Sequence, residues 1–255
     1  METIDSISVR SLFVSDLHIG TGHFQSGLFL DLLKRFENGN IEKLYLVGDI
    51  IDFICMKNHI YWKQEHNTVV QKLLRLSRKG VMVIYVPGNH DYFMRDFVGH
   101  QFGNIDIKSE VIHETVDGRK FLVLHGDEFD GILRNMTWCY RLGSRAYSFL
   151  ILLDKAIHMV SRTVGYHSRW SLSEVLRSKV KDVVKYINNY KYLVSSRALE
   201  LCVDGVICGH IHESEMSVFE GVEYINCGCW TTSGVGTVVV EDVHGKIHVV
   251  KFRED

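Results

Sequence analysis

Aspartate, asparagine and histidine gather in five short motifs, and these are the residue types that bind divalent cations or move protons. In chain order the motifs are Ser15-Asp16-Leu17-His18, Gly48-Asp49-Ile50-Ile51-Asp52, Pro87-Gly88-Asn89-His90-Asp91, His125-Gly126-Asp127 and Gly209-His210-Ile211-His212. Carboxylate and amide oxygens with imidazole nitrogens form a hard-to-borderline donor set, which suits Mn, Fe, Co or Zn. Each motif alone has an ordinary explanation, because an Asp-x-His or His-x-His pair arises by chance and a buried histidine is usually hydrogen-bonded core. Five of them, each following an apolar run, point instead to one shared centre. His59, His66, His100, His113, His158, His244 and His248 lack that context and receive no role, while His23 and His167 only lie near candidate segments.

The elements that must position these motifs are legible from periodicity. Residues 9–14, 43–47, 81–85 and 120–124 read as buried strands bounded by turn signals. Between them Leu28, Leu32, Leu33 and Phe36 recur at helical spacing, as do Val69, Val70, Leu73, Leu74 and Leu76. Strand-helix alternation implies an α/β layered core. The motifs then fall at the C-terminal ends of strands, where open α/β sheets place ligands. Glycines beside Asp49, Asn89, His125 and His210 permit turns that aim side chains inward.

Residues 131–200 differ. No strand is evident, and Val175, Val180, Val183, Val184 and Ile187 follow a helical pattern, with Ser171 and Glu174 spaced as a capping box. Strands resume at 205–208, 222–226, 236–241 and 246–252, with turns at Glu220-Gly221 and His244-Gly245. The expected organisation is therefore a core of residues 1–130 and 201–255 with a helical insertion, 131–200. Twelve Lys and Arg against four acids give that insertion a charge of about +8, and the remainder of the chain carries about -10. Such asymmetry suits an anionic ligand or membrane surface, and a solvated helical face is the plainer alternative.

Composition is that of an ordinary globular chain, and the net charge of -2 selects no partner. The N-terminus lacks a basic and an apolar region, so no signal peptide is expected. The most apolar run, 149–153, stops at Asp154 and Lys155, far short of the roughly 20 residues that span a bilayer. A cytoplasmic location follows as an expectation. Six cysteines without a disulfide rhythm are expected to be reduced and mostly packing residues. No Gly-rich phosphate loop or nucleic-acid motif is present, so no nucleic-acid partner is expected.

The order Asp-x-His, Gly-Asp-x-x-Asp, Gly-Asn-His-Asp, His-Gly-Asp, Gly-His-x-His, from Asp16 to His212, resembles the calcineurin-like metallophosphoesterase superfamily. The resemblance implies a β-sandwich flanked by helices and two divalent cations. Carried over, Asp16, His18 and His212 would hold one cation, Asn89, His125 and His210 the other, with Asp49 bridging. Two cations held close together lower the pKa of a bridging water, and the resulting hydroxide would attack phosphorus in line. His90 would stabilise the transition state or protonate the leaving oxygen, and Asp52 would orient it; capping the following helix is an equal reading of Asp52.

The long insertion and the Asn226-Cys227-Gly228-Cys229-Trp230 segment resemble, more narrowly, the UDP-2,3-diacylglucosamine pyrophosphatases of lipid A biosynthesis. That implies Mn as the leading metal, a UDP-linked diacylated sugar as substrate and a peripheral place on the inner membrane. Trp138, Arg141, Trp170, Arg177 and Lys181 are the insertion residues expected to meet it. The best-known members read Gly-Asn-Arg-Asp where this chain has His90. A metallophosphoesterase on another phosphodiester or nucleoside diphosphate conjugate is thus the alternative, and a non-catalytic metal-binding scaffold is a further one.

Overall fold

The computed structural model describes residues 4–130 and 172–253. The chain divides into two compact units, Met1–Glu128 with Val194–Asp255, and Phe129–Leu193.

The first unit is built on two sheets. One has seven strands in the order β12-β11-β1-β2-β3-β5-β4: β1 (Val9–Val14), β2 (Lys43–Val47), β3 (Met82–Val86), β4 (Gln101–Phe102), β5 (Ile105–Ile107), β11 (Val235–Asp242) and β12 (Ile247–Arg253). The other has five strands in the order β6-β7-β8-β10-β9: β6 (Val111–Glu114), β7 (Lys120–Val123), β8 (Gly205–Cys208), β9 (Glu215–Phe219) and β10 (Val222–Asn226). β1, β2, β3 and β5 run parallel, as do β7, β8 and β10, while the outer pairings are antiparallel.

Alternation along each strand creates two cores, because successive side chains point to opposite faces. From β2, Leu44 and Leu46 join the cluster that includes Leu28, Leu32 and Leu33 of α1 (Ser26–Arg35) and Val69, Leu73 and Leu76 of α3 (Gln64–Arg78). Tyr45 and Val47 face the other way and join Phe121 and Val123 of β7, Ile207 of β8 and Ile225 of β10. The architecture is a two-sheet α/β sandwich flanked by helices, as the resemblance implied. Expected strand limits shift by a residue or so where end residues pair with a neighbour. Strands β4, β5, β6 and β9 carry no apolar run, and periodicity passed over them.

Helix α2 (Phe53–Asn58) is short and follows the second motif. Helix α4 (Leu172–Glu200) ends just before β8, and Ser171 of the expected capping box lies outside the described residues. Its described buried residues are Tyr186, Tyr190, Val194 and Ala198, spaced four apart, with Ser195 beside them, whereas Val184 is half exposed. None of the five described cysteines, Cys55, Cys202, Cys208, Cys227 and Cys229, is in a disulfide. No helix among the described residues is long and apolar enough to cross a membrane.

Candidate metal centre

All five motifs leave the C-terminal ends of parallel strands: the first three follow β1, β2 and β3 of the larger sheet, the last two β7 and β8 of the smaller. Past the strand ends the loops remain tied together. Asp16 N–H donates to Gly48 O (3.0 Å), His18 N–H to Asp49 O (2.9 Å) and Gly209 N–H to His125 O (3.1 Å). Space is tight enough to demand glycine at two turns. A Cβ on Gly88 would lie 2.6 Å from the His125 ring, and one on Gly209 would lie 2.6 Å from Asp16 Oδ2.

The backbone carries the mark of this convergence. Asp16, His18, Asp49, His210 and His212 have φ of 53°, 52°, 52°, 70° and 58°, in the left-handed region that L-residues other than glycine occupy at a cost. Among the described residues only Asn104, Cys202 and Glu220 share that feature without belonging to a motif, and all three sit in turns. Strain of roughly 1–3 kcal/mol per residue, concentrated at one place, is the pattern of a functional site.

Two groups of ligand atoms form, each gathered within 4.8 Å, Asp16, His18 and His212, and Asp49, His125 and His210, and a further group, His18, Asp49 and His90, lies across them. Asp49 reaches toward both, since its Oδ2 is 3.9 Å from His18 Nε2 and 3.4 Å from His125 Nε2. Its Oδ1 accepts the His90 N–H (2.7 Å). Asp16 Oδ1 stands 3.0 Å from His212 Nε2 without hydrogen-bond geometry, and the buried Asn89 Oδ1 has no hydrogen-bond partner. Buried polar atoms are normally satisfied. Oxygens that converge with imidazole nitrogens yet stay unmated fit a divalent cation.

Outer contacts fix the rings as a cation would require. His18 Nδ1 is 2.9 Å from Asp52 Oδ2, and His125 Nδ1 is 3.0 Å from the Val47 carbonyl. Each partner accepts the Nδ1 proton and leaves Nε2 as the electron-pair donor. Asp52 caps the helix and also stands beside His90. Its Oδ1 accepts the Cys55 N–H (2.7 Å) as helix cap and lies 2.9 Å from His90 Nδ1. Burial pushes this carboxyl up, but the His18 and His90 rings outweigh it and hold it well below the usual carboxylate range.

The electrostatics ask for positive charge. Burial raises Asp49, but the His125 charge overcomes this and brings its pKa to about 2. Burial likewise raises Asp16, and His212 with His18 depresses it well below normal. Burial lowers His18, yet Asp16, Asp52 and Asp49 lift it to about 9, and Asp49 lifts His125 well above its ordinary value. Protons thus hold the place that a cation's charge would take.

Three supporting residues had little or no signal in the sequence. Asp91 is fully buried; it accepts Gly88 N–H (2.6 Å) and Ile50 N–H (2.8 Å), tying the second motif to the third. Asn226 Nδ2 donates to Gly209 O (2.7 Å), and Trp230 N–H donates to Asp16 O (3.1 Å) with its ring edge-on to Phe29. Asp127, in contrast, pairs with Arg95 at 2.6 Å. His23 is exposed and outside the clusters, and His66 is packed against Phe24 and Trp62. Trp138, Arg141, Trp170 and His167 lie outside the described residues, and Arg177 and Lys181 fall on α4 ahead of its described side chains.

A layered two-sheet fold with convergent His and Asp clusters at its strand ends supports a metal-dependent phosphoesterase. The chain belongs to the calcineurin-like phosphoesterase family, whose model matches residues 9–214. It is similar to the UDP-2,3-diacylglucosamine hydrolase of Neisseria meningitidis serogroup A, 29% identical over 45% of this chain and 47% of that one. That of Neisseria gonorrhoeae is 31% identical over 46% of this chain and 48% of its own. These alignments span about half the length of each relative. The Chromohalobacter salexigens hydrolase of the same name aligns over 92% of this chain and 94% of its own, at 24% identity.

Proposed function

We propose that the protein is a two-cation pyrophosphatase that cleaves UDP-2,3-diacylglucosamine to UMP and 2,3-diacylglucosamine 1-phosphate. The observation that carries this reading is Asp49 Oδ2, standing 3.9 Å from one histidine and 3.4 Å from the other of two adjacent donor groups. In it Asp16, His18 and His212 hold one cation, Asn89, His125 and His210 the other, and Asp49 belongs to both. When bound, two divalent ions, Mn²⁺ foremost, bring the pKa of water toward neutrality and offset charge on the phosphoryl oxygens.

The remaining work falls to the chain. Asp52 and the Val47 carbonyl keep His18 and His125 aimed. His90, one residue past Asn89 and 2.9 Å from the Asp52 carboxylate, stabilises the transition state or gives a proton to the leaving oxygen. The substrate assignment rests on the names of the relatives and on the charge of about +8 over residues 131–200, which suits a diphosphate and an anionic membrane surface at the cytoplasmic face. A second reading, another diphosphate conjugate or phosphodiester, is favoured by His90 at the position where the best-known relatives carry Arg.

The test is hydrolysis of UDP-2,3-diacylglucosamine with Mn²⁺, read as UMP, with Asp49→Asn as the blank. Rapid UMP release that the variant loses is expected. Cleavage of bis(p-nitrophenyl) phosphate without UMP release would retain the cation centre and discard the substrate; no cleavage of either with Mn, Fe, Co or Zn would discard both.

A further inference from the structure

One more set of ligand atoms, the one that includes a thiol, meets beside the proposed catalytic centre. Asp52, Cys55 and His90 bring a carboxylate oxygen, a sulfur and an imidazole nitrogen within 4.8 Å of one another. The local sequence dictates the arrangement. Asp52 caps α2 and accepts the N–H of Cys55, three residues on, which puts both side chains on the helix's first turn. His90 arrives from the turn after β3, where its carbonyl accepts Phe53 N–H (3.2 Å). His90 Nδ1 is a buried atom 2.9 Å from Asp52 Oδ1 without hydrogen-bond geometry, and that nitrogen has no hydrogen-bond partner, while Oδ1 itself accepts the Cys55 N–H.

We propose that Asp52, Cys55 and His90 form a third cation site, selective for Zn²⁺ over Mn²⁺, whose filling withdraws His90 from the reaction. The donor chemistry sets the selectivity. A thiolate favours a borderline-soft ion, whereas the six residues of the two donor groups above offer only nitrogen and oxygen, which also suit Mn²⁺. Three protein ligands with an open fourth position are an ordinary zinc arrangement. Binding releases the thiol proton to solvent as the sulfur–zinc bond forms. Cys55 is exposed, so the ion can exchange with solvent. Asp52 divides its oxygens: Oδ1 faces the third site while Oδ2 stays on His18 Nδ1 at 2.9 Å. The site is therefore compatible with an assembled catalytic centre. Its inhibitory effect rests on the role proposed above for His90; its existence does not.

The test is cobalt titration of the metal-free protein, following the thiolate-to-cobalt charge-transfer absorption in wild type, Cys55→Ser and Cys229→Ser. Cys229 is the control because its thiol lies against His212. The absorption is expected in wild type and Cys229→Ser and absent in Cys55→Ser. The Zn²⁺ concentration that halves each protein's own Mn²⁺-dependent cleavage of bis(p-nitrophenyl) phosphate is expected to rise about tenfold or more in Cys55→Ser. No absorption in wild type, its survival in Cys55→Ser, or its loss in Cys229→Ser overturns the site. Dependence on Cys55 with unchanged zinc sensitivity overturns the inhibitory role. A protein that cleaves neither this ester nor UDP-2,3-diacylglucosamine with Mn, Fe, Co or Zn refutes the proposed function, and the cobalt spectrum still decides the third site.

Discussion

The buried charges at the strand ends and those between the sheets differ in backbone, in pairing and in what they demand of their surroundings. Between the sheets, Glu241 is fully buried and takes bonds from Arg10 (2.9 Å), Ser11 (2.7 Å), Val116 N–H (2.9 Å) and His113 Nε2 (3.0 Å). Tyr45 donates its hydroxyl to His113 Nδ1 across 2.9 Å. Burial lowers the pKa of His113, so the ring stays neutral and can accept from Tyr45 while donating to Glu241. None of these residues has a left-handed backbone. At the strand ends five residues do, and Asn89 Oδ1 is unmated. Burial of His beside a carboxylate therefore does not mark a cation site. Convergence without pairing, on a backbone held against its preference, does.

Removing one carboxylate from each region should separate them most strongly. Asp49→Asn is expected to lower kcat/KM by about a thousandfold or more, because it strips charge from both donor groups. Added Mn²⁺ should raise the Tm of the wild type and leave that of the variant nearly still, since only a ligand that binds the folded state shifts it. Equal Mn²⁺ shifts in both proteins would place the cation elsewhere. Glu241→Gln should do the reverse. It removes the charge that accepts from Arg10, Ser11 and His113, while Arg10 keeps Glu42 at 2.8 Å, and should cost about 2 kcal/mol in urea unfolding, with the Mn²⁺ shift and kcat per folded molecule retained. A variant that keeps its stability but loses activity would join the two regions into one.

Solution pH separates the regions next. His18 is held near 9, and Asp49 and Asp16 lift His125 and His212 well above the ordinary histidine value. Cations must therefore displace several protons, and Mn²⁺ affinity should climb with pH by at least about tenfold per unit below about 9. Glu241 moves the other way. Burial raises it, but His113, Ser11 and the Val116 N–H bring it to about 2, against an ordinary 4.5. Its contribution is complete above about 4.5 and is lost as pH falls toward about 2. Calorimetry of Mn²⁺ binding from pH 6 to 9 and urea unfolding from pH 6 to 3 read the two separately. A flat affinity profile would show that these histidines carry no proton to displace.

The sequence made the strand-end region far more legible than the other. Asp16, His18, Asp49, Asn89, His90, His125, His210 and His212 announce themselves because each follows an apolar strand and sits in a short motif. Asp52 was half legible: its neighbours suggested a cap or an orienting group, and only three dimensions show one carboxylate capping the helix while lying 2.9 Å from His90 Nδ1. His113 and Glu241 were illegible, since they lie 128 positions apart and β6 has no apolar run to betray a strand. The left-handed backbone was invisible as well, because aspartate and histidine do not advertise it as glycine does. Asn226 and Trp230 appeared only as a resemblance, and their hydrogen bonds to Gly209 and Asp16 explain why that segment matters.

The smallest expected effect sharpens the same contrast. Tyr45→Phe removes the hydroxyl that His113 Nδ1 accepts and keeps the ring stacked on Phe13, 4.5 Å between centroids. The loss is one buried hydrogen bond, about 1 kcal/mol, and it should appear in urea unfolding alone. The His113 pKa should rise as well, because a ring without the Tyr45 donor gains by taking a second proton beside Glu241; histidine NMR titration reads this directly. Mn²⁺ affinity should stay within about twofold, for sites with no shared partner act independently. A cation centre fails as a whole when one ligand goes, whereas the network between the sheets yields one bond at a time. A Tyr45→Phe protein that lost Mn²⁺ affinity would mean that the sheets transmit strain from Glu241 to the strand ends, and that the two regions are a single device.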